Sequence, residues 1–303
     1  MIELISSCFL LYYIIKYKVN SYDLINFHIA YPNCTYIHLI KRWINCPMVI
    51  TEHWSGYHYN FNISNVKKRK TIQKIFQQQI PVITVSDALL RDIINFSKAD
   101  FPGYVIPNMI DTTIFKYVSN NRFSDNTNFL MVSQWKWPKD PFTVLKAWKK
   151  VLNIFPWAKL RIGGYGPQLY EMERLVEELQ LQNHVSLIGR LTSEKIAYEM
   201  SKAEAFIHCS EYETFSVVCA EALCCGTPVI ASNVGGIPEY IHSYNGILVP
   251  ENTPEAFSQS IINYVNNREK FEFEKISDEA SDKFAVEKAG KKYYSVLSEI
   301  ILP

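Results

Sequence analysis

Residues 210–239 read SEYETFSVVCAEALCCGTPVIASNVGGIPE. The stretch follows Ala205–Cys209, a short apolar run with the length of a buried strand. A helix is predicted from about Thr214 to Cys225, with Gly226 as its C-terminal cap and Pro228 beyond. Glu213 then falls at the strand-to-helix turn. Glu221 is eight residues further on, about two helical turns, so both carboxylates can face one crevice. The amides of Phe215, Ser216 and Val217 lie in the predicted first turn, where free N–H groups and the helix dipole favour an anion. Such equipment suits a polyhydroxylated phosphate ester. The bland alternative makes Glu213 a stabiliser of the helix start and Glu221 part of a solvated face; spacing alone does not choose.

On both sides the chain alternates strand-like and helix-like segments. Upstream, strands are predicted at Asp23–His28, Met48–Thr51, Val82–Val85 and Tyr104–Ile106, with helical patterns at Ser64–Gln78 and Ser86–Phe96. The polar stretch SNNRFSDNTN, residues 119–128, reads as a linker. Beyond it strands are predicted at Phe129–Ser133, Leu160–Gly163, Val185–Gly189, Ala205–Cys209, Pro228–Ser232 and Gly246–Val249. Between them, Leu169, Met172, Leu175, Val176 and Leu179 recur at helical period, and Pro167 suits a first helical position. Alternation at this spacing predicts an α/β protein of two doubly wound, Rossmann-like domains with parallel sheets covered on both faces. Ligands of such sheets sit at the carboxyl ends of the strands.

Composition narrows the partners. Thirty-one Lys and Arg stand against 30 Asp and Glu, a net charge of +1, which argues against a nucleic-acid binder. The seven cysteines are odd in number and form no C-x-x-C pair. A zinc site or disulfide framework is therefore not indicated, and a reducing cytosol fits. Leu4–Ile15 is a nearly unbroken apolar run, too short to span a bilayer as a helix. It reads as a buried helix leading into the first strand, with a signal peptide or membrane anchor as the alternatives.

The pattern E-T-F-x5-E-A-L-x2-G-T-P-V-I-A-x3-G-G-I-P-E, residues 213–239, resembles the signature of GT-B-fold glycosyltransferases of family four, also called glycosyl transferases group 1. Glu213 and Glu221 match its E-x7-E motif. VSDALLRDI (85–93), VIPNMIDTTIF (105–115), LRIGGYGPQLYEMERLVEEL (160–179), HVSLIGRLTSEKI (184–196) and NGILVP (245–250) are similar to family segments in the same order.

The resemblance implies a GT-B enzyme whose two domains face a cleft, with the acceptor on the N-terminal side and a nucleotide-diphosphate sugar on the C-terminal side. It implies sugar transfer with retention, no cofactor and no metal. Glu213 would hold donor-sugar hydroxyls, Glu221 the donor ribose, and the amides of Thr214, Phe215, Ser216 and Val217 sugar or phosphate oxygens. The turn at Gly189–Arg190–Leu191 would lie beside the base, and Gly164 would let backbone approach the ligand. Lys139 matches the lysine that meets the diphosphate. Gln134 stands where the family has Arg, and Lys136 is the candidate to restore that charge. His53 matches a histidine placed near the reacting sugar, and His28 a position at the neighbouring strand end.

The expected organisation is an N-terminal acceptor-side domain over 1–118, a linker over 119–128, a donor domain over 129–276, and a C-terminal helix over 277–303 packing back on the first domain. Set beside the family, the first domain lacks its opening strand and Gly-rich loop, and so is expected to be curtailed. The expected partners are a sugar nucleotide and a glycan or lipid-linked acceptor of surface-polysaccharide or lipopolysaccharide type, in the cytoplasm or at the inner membrane face. Lys67, Lys68, Arg69, Lys70 and Lys74 read either as a solvated helix face or as a peripheral membrane contact. The competing readings are a GT-B epimerase and a non-catalytic protein that binds a sugar nucleotide or serves a partner.

Overall fold

A computed structural model describes residues 12, 16, 22–42, 44–119 and 128–302. Apart from Tyr12, the run Leu4–Ile15 lies outside them, as does most of the polar stretch 119–128. Two units are present, Met1–Pro107 with Ala289–Pro303, and Asn108–Lys288.

The first unit holds a parallel sheet in the order β1-β2-β3-β4, from Ile25–His28, Met48–Glu52, Val82–Thr84 and Gly103–Val105. Every residue of β2 is buried, as the apolar run Met48–Ile50 requires of a strand covered on both faces, and Thr51 and Glu52 are buried with it. The helix Val66–Phe76 starts where the Asn65 side chain accepts from the Lys67 and Lys68 amides, and it buries Ile72, Ile75 and Phe76. Ser86 caps the helix Asp87–Ser97 in the same way. Val296, from the helix Val286–Ile301, packs with Val49, Ile83 and Ile106. The hydroxyl of Tyr293 meets Asn26 and lies 2.9 Å from that of Thr51.

The second unit is a six-stranded parallel sheet in the order β10-β9-β8-β5-β6-β7. Its strands are β5 (Asn128–Gln134), β6 (Lys159–Tyr165), β7 (Val185–Gly189), β8 (Phe206–His208), β9 (Val229–Ser232) and β10 (Gly246–Val249). The chain runs outward from β5 through β6 and β7, then returns to the other side of β5 for β8, β9 and β10. The order therefore reverses between β5 and β8, where a doubly wound sheet opens a crevice. The loops after these two strands are tied together: the Asp140 amide donates to the Cys209 carbonyl at 3.0 Å, and Lys139 bridges Ser210.

All ten predicted strands are present, each within two residues of its expected ends. The unit boundary differs. It falls after Pro107, not at 118, because residues 108–119 are anchored in the second unit: Ile110 donates to the Phe284 carbonyl at 2.8 Å, and Phe115 is buried. The C-terminal segment also divides later than 277. The helix Phe273–Phe284 stays with the second unit, and only Ala289 onward belongs to the first.

Candidate active site

At the carboxyl ends of β5, β6, β7 and β8 lies a cavity of about 370 Å³. Its wall includes Ser133, Gln134, Lys139, Gly164, Tyr165, Arg190, Leu191, His208, Val217, Val218 and Glu221. A larger hollow of about 470 Å³ beside β10 is lined by Ile247, Asn263, Lys270 and Phe271 among others. No carboxylate lines it, whereas Glu221 and Lys139 line the smaller cavity, where we place the candidate site.

Glu213 is nearly buried, at 8% exposure. Its Oε1 accepts from the Lys139 ammonium and from His208 Nε2, the latter at 2.6 Å. Burial alone would raise this carboxyl. The contact with His208, then the Lys139 ammonium, more than offset that and hold it at about 2. Glu221 lies on the next helix, and burial with no compensating cation pushes it up to about 7. The two carboxylates of the motif are thus held apart in titration, Glu213 ionised and Glu221 near neutrality.

The backbone around Glu213 is fixed by the rest of the signature. Its carbonyl accepts from the Gly236 amide at 3.0 Å. Gly235 has φ +53°, and a β-carbon there would stand 1.8 Å from the Glu213 carbonyl oxygen. The Tyr240 hydroxyl donates to the carbonyls of Phe215, at 2.6 Å, and Ser216, at 3.0 Å. Gly164 (φ +141°) is equally constrained, since a β-carbon would lie 1.9 Å from the Ser133 carbonyl oxygen.

Several expectations are corrected here. The helix begins at Val217, not Thr214, because Ser216 takes a left-handed φ of 70°. The free first-turn amides therefore start at Val217, which lines the cavity together with Val218. Thr214, Phe215 and Ser216 do not line it, and Glu213 lies behind the wall, touching the lining residues Lys139 and His208. The Phe215 ring is buried against Tyr240 and Phe284. Lys136 is exposed and also outside the wall. A tight turn causes this: Lys139 donates its amide to the Lys136 carbonyl at 3.0 Å, turning Lys139 inward and leaving Lys136 outside. The second cation of the wall is Arg190, whose guanidinium lies 4.9 Å from the Tyr165 ring centroid. Gln134 Nε2 donates to the Tyr165 hydroxyl at 3.1 Å.

His208 and Tyr165 were absent from the expected site. The one available signal for His208 was a polar residue inside the apolar run AFIHC, five positions before Glu213. In the first unit, His53 follows β2 and stacks with His28 at 6.1 Å between ring centroids. Beside it Glu52 is fully buried and structural, accepting from the Ala30, His53 and Trp54 amides and the Tyr57 hydroxyl. Among the described residues no group of three His, Cys, Asp or Glu is placed to hold a metal ion. Among the described residues no helix is long and apolar enough to cross a membrane.

Two Rossmann-like units, with this crevice at the strand-order reversal, define the GT-B glycosyltransferase fold. HepE of Anabaena, solved in complex with UDP, superposes with a TM-score of 0.80 at 20% identity, covering 93% of this chain and 80% of that one. The family profile "Glycosyl transferases group 1" matches residues 114–281, and "Glycosyltransferase Family 4" matches residues 4–114. The chain belongs to the glycosyl transferases group 1 family, whose members are transferases of class EC 2.4. N-acetyl-alpha-D-glucosaminyl L-malate synthase of Bacillus anthracis is 23% identical over 289 residues, 92% of this chain and 75% of that protein. A phosphatidylinositol N-acetylglucosaminyltransferase subunit of Arabidopsis thaliana is 25% identical over 158 residues, 52% of this chain but 35% of that protein. The chain thus matches about a third of that relative's length.

Proposed function

We propose that this chain is a retaining glycosyltransferase that moves a sugar from a nucleoside-diphosphate donor to a glycan or lipid-linked acceptor in surface-polysaccharide or lipopolysaccharide synthesis. The observation that carries the reading is the pair Lys139 and Glu221 on the wall of one cavity with the Val217 helix start, and the ionised Glu213 held behind that wall by Lys139 and His208. In this reading Glu213 accepts hydroxyl hydrogen bonds from the donor sugar and Glu221 those of the ribose. Lys139 and the amides at Val217 and Val218 neutralise charge that builds on the diphosphate as it leaves. The bond from the anomeric carbon to the diphosphate oxygen breaks. A bond from the acceptor oxygen forms on the same face, and the acceptor proton passes to the departing diphosphate. His53 contributes to the sugar and acceptor side. Lysine supplies the positive charge, so turnover needs no metal and survives chelation.

The donor class we favour is a UDP-sugar, in line with the UDP of the HepE complex and the N-acetylglucosaminyl names of the two relatives. The test is UDP binding by calorimetry together with UDP release from UDP-N-acetylglucosamine and UDP-glucose. Glu213→Ala should cost more in turnover than in UDP affinity, and Glu221→Ala should chiefly weaken UDP. Equal effects of both variants on both quantities would sink that division of roles. UDP binding with no transfer to any acceptor extract would favour the non-catalytic reading.

A second element of the reading is a membrane contact at the inner face, and it has its own support. The residues of the first unit, 1–107 and 289–303, carry thirteen Lys and Arg against seven Asp and Glu, a net of +6; residues 108–288 carry eighteen against 23, a net of −5. Lys67, Lys68, Lys70 and Lys74 are exposed on a helix with no acidic residue, and Val66 is exposed at its start. Such a face suits an anionic lipid surface.

A further inference from the structure

We infer that His208 is a positioning residue that holds Glu213 in place for sugar transfer. The inference rests on the reading above, in which Glu213 receives the donor-sugar hydroxyls. His208 ends β8 and is fully buried. Its Nε2 lies 2.6 Å from Glu213 Oε1 and 3.3 Å from the Ser216 hydroxyl, while its ring stacks with Phe206. Nδ1 is buried without a partner. An ionised carboxylate only accepts, so the proton of this contact belongs on Nε2. His208 is therefore a donor through Nε2 with one carboxylate to serve.

Lys139 has a second anion to meet. Both side chains line the cavity and share Oε1, but the Lys139 side chain is partly exposed where His208 is buried, and a bound diphosphate is a second anion for its ammonium. As Lys139 turns to the phosphate, His208 becomes the side-chain donor that keeps the carboxylate in its rotamer. Both donors act on Oε1 and none on Oε2, so Oε2 remains for the sugar. The other groups facing this cluster are the Ser216 hydroxyl and the Cys219 thiol at the helix start, both neutral, and Glu221 on the cavity wall.

The experiment compares His208→Gln, whose amide places an N–H near the same point, with His208→Leu, which fills the volume without a donor. With UDP-N-acetylglucosamine as probe, His208→Leu should lower kcat about tenfold or more while UDP affinity, read by calorimetry, stays within about threefold. His208→Gln should recover most of the turnover. Equal losses in the two variants, or a loss confined to UDP affinity, would overturn the inference. A second measurement does not need turnover. The stability that Glu213 contributes is present above its ordinary range near 4.5 and is lost as pH falls toward about 2. Removing the donor removes the His208 share of that contribution and leaves that of Lys139, so the urea-midpoint deficit of His208→Leu should shrink from about pH 7 to about pH 3.5, while His208→Gln follows wild type. A deficit of constant size would also overturn the inference. Wild-type protein that releases UDP from no sugar nucleotide refutes the transferase reading instead, and leaves this second measurement decisive for His208.

Discussion

Replacing Glu221 by Gln should stabilise the protein, and only at high pH. Glu221 lies on the second turn of the helix Val217–Cys224, and burial moves its carboxyl from the ordinary 4.5 up to about 7. The folded state thus holds this proton more tightly than the unfolded chain does. The stabilisation is complete below about pH 4.5 and is lost as pH rises through about 7. At about 1.4 kcal/mol per pH unit, the full loss is about 3 kcal/mol. Gln keeps the shape and removes the charge. Thermal or urea unfolding of Glu221→Gln should match wild type near about pH 4.5 and exceed it by about 1–3 kcal/mol near about pH 8.5, the lower end allowing for partial solvent access. A gain of equal size at both ends of that range, or a loss at the alkaline end, would refute the burial argument. The same titration couples to the ligand. Ribose hydroxyls favour the ionised carboxylate, so UDP binding near about pH 6 should release close to one proton, seen as buffer-dependent calorimetric enthalpy, and Glu221→Gln should release none.

Two further outcomes separate groups that look alike in sequence. Lys139→Ala should weaken UDP by about tenfold or more, because it removes a cation at the cavity wall. Lys136→Ala should change UDP affinity less than about twofold, since that ammonium is exposed outside the wall; equal losses from the two would restore Lys136 to the site. Charge reversal of Lys67, Lys68, Lys70 and Lys74 to Glu should abolish salt-sensitive sedimentation with vesicles of phosphatidylcholine and phosphatidylserine, at unchanged UDP affinity. Sedimentation equal to wild type would remove the membrane contact from the reading.

The fold was legible because alternation carries it. A run such as Met48–Thr51 or Phe129–Ser133 is buried on both faces whichever helix covers it, so apolar length alone locates the strand. Boundaries were less legible where one backbone angle decides them. Nothing in the letters ETFS marks Ser216 as left-handed; that follows from the Phe215 ring being held by Tyr240 and Phe284, both distant in sequence. The unit boundary was missed for a similar reason. Polar composition identifies a linker only where no tertiary contact claims the residues before it, and the Ile110–Phe284 bond claims them. Motif spacing brought Lys139, Arg190, Leu191 and Glu221 to positions that line one cavity, and Glu213 to a position in contact with two of its wall residues. Lys136 was not resolved by it, because a charge two residues from a motif position can be turned in or out by a single tight turn.

The arrangement at Glu213 also gives the rest of the signature a physical meaning. A carboxylate that must meet a ligand and two donors needs its backbone fixed more firmly than a turn fixes itself. Gly236 bonds the Glu213 carbonyl, and Gly235 leaves room for that carbonyl to lie where a β-carbon would stand 1.8 Å away. Tyr240 reaches back to the next two carbonyls of the same turn. None of these three residues lines the cavity. Their part is to set where Glu213 begins, while His208 and Lys139 set where it ends. A methyl group at position 235 would displace the carboxylate without touching any ligand. The G-G-I-P-E segment is therefore the mount of the Glu213 turn.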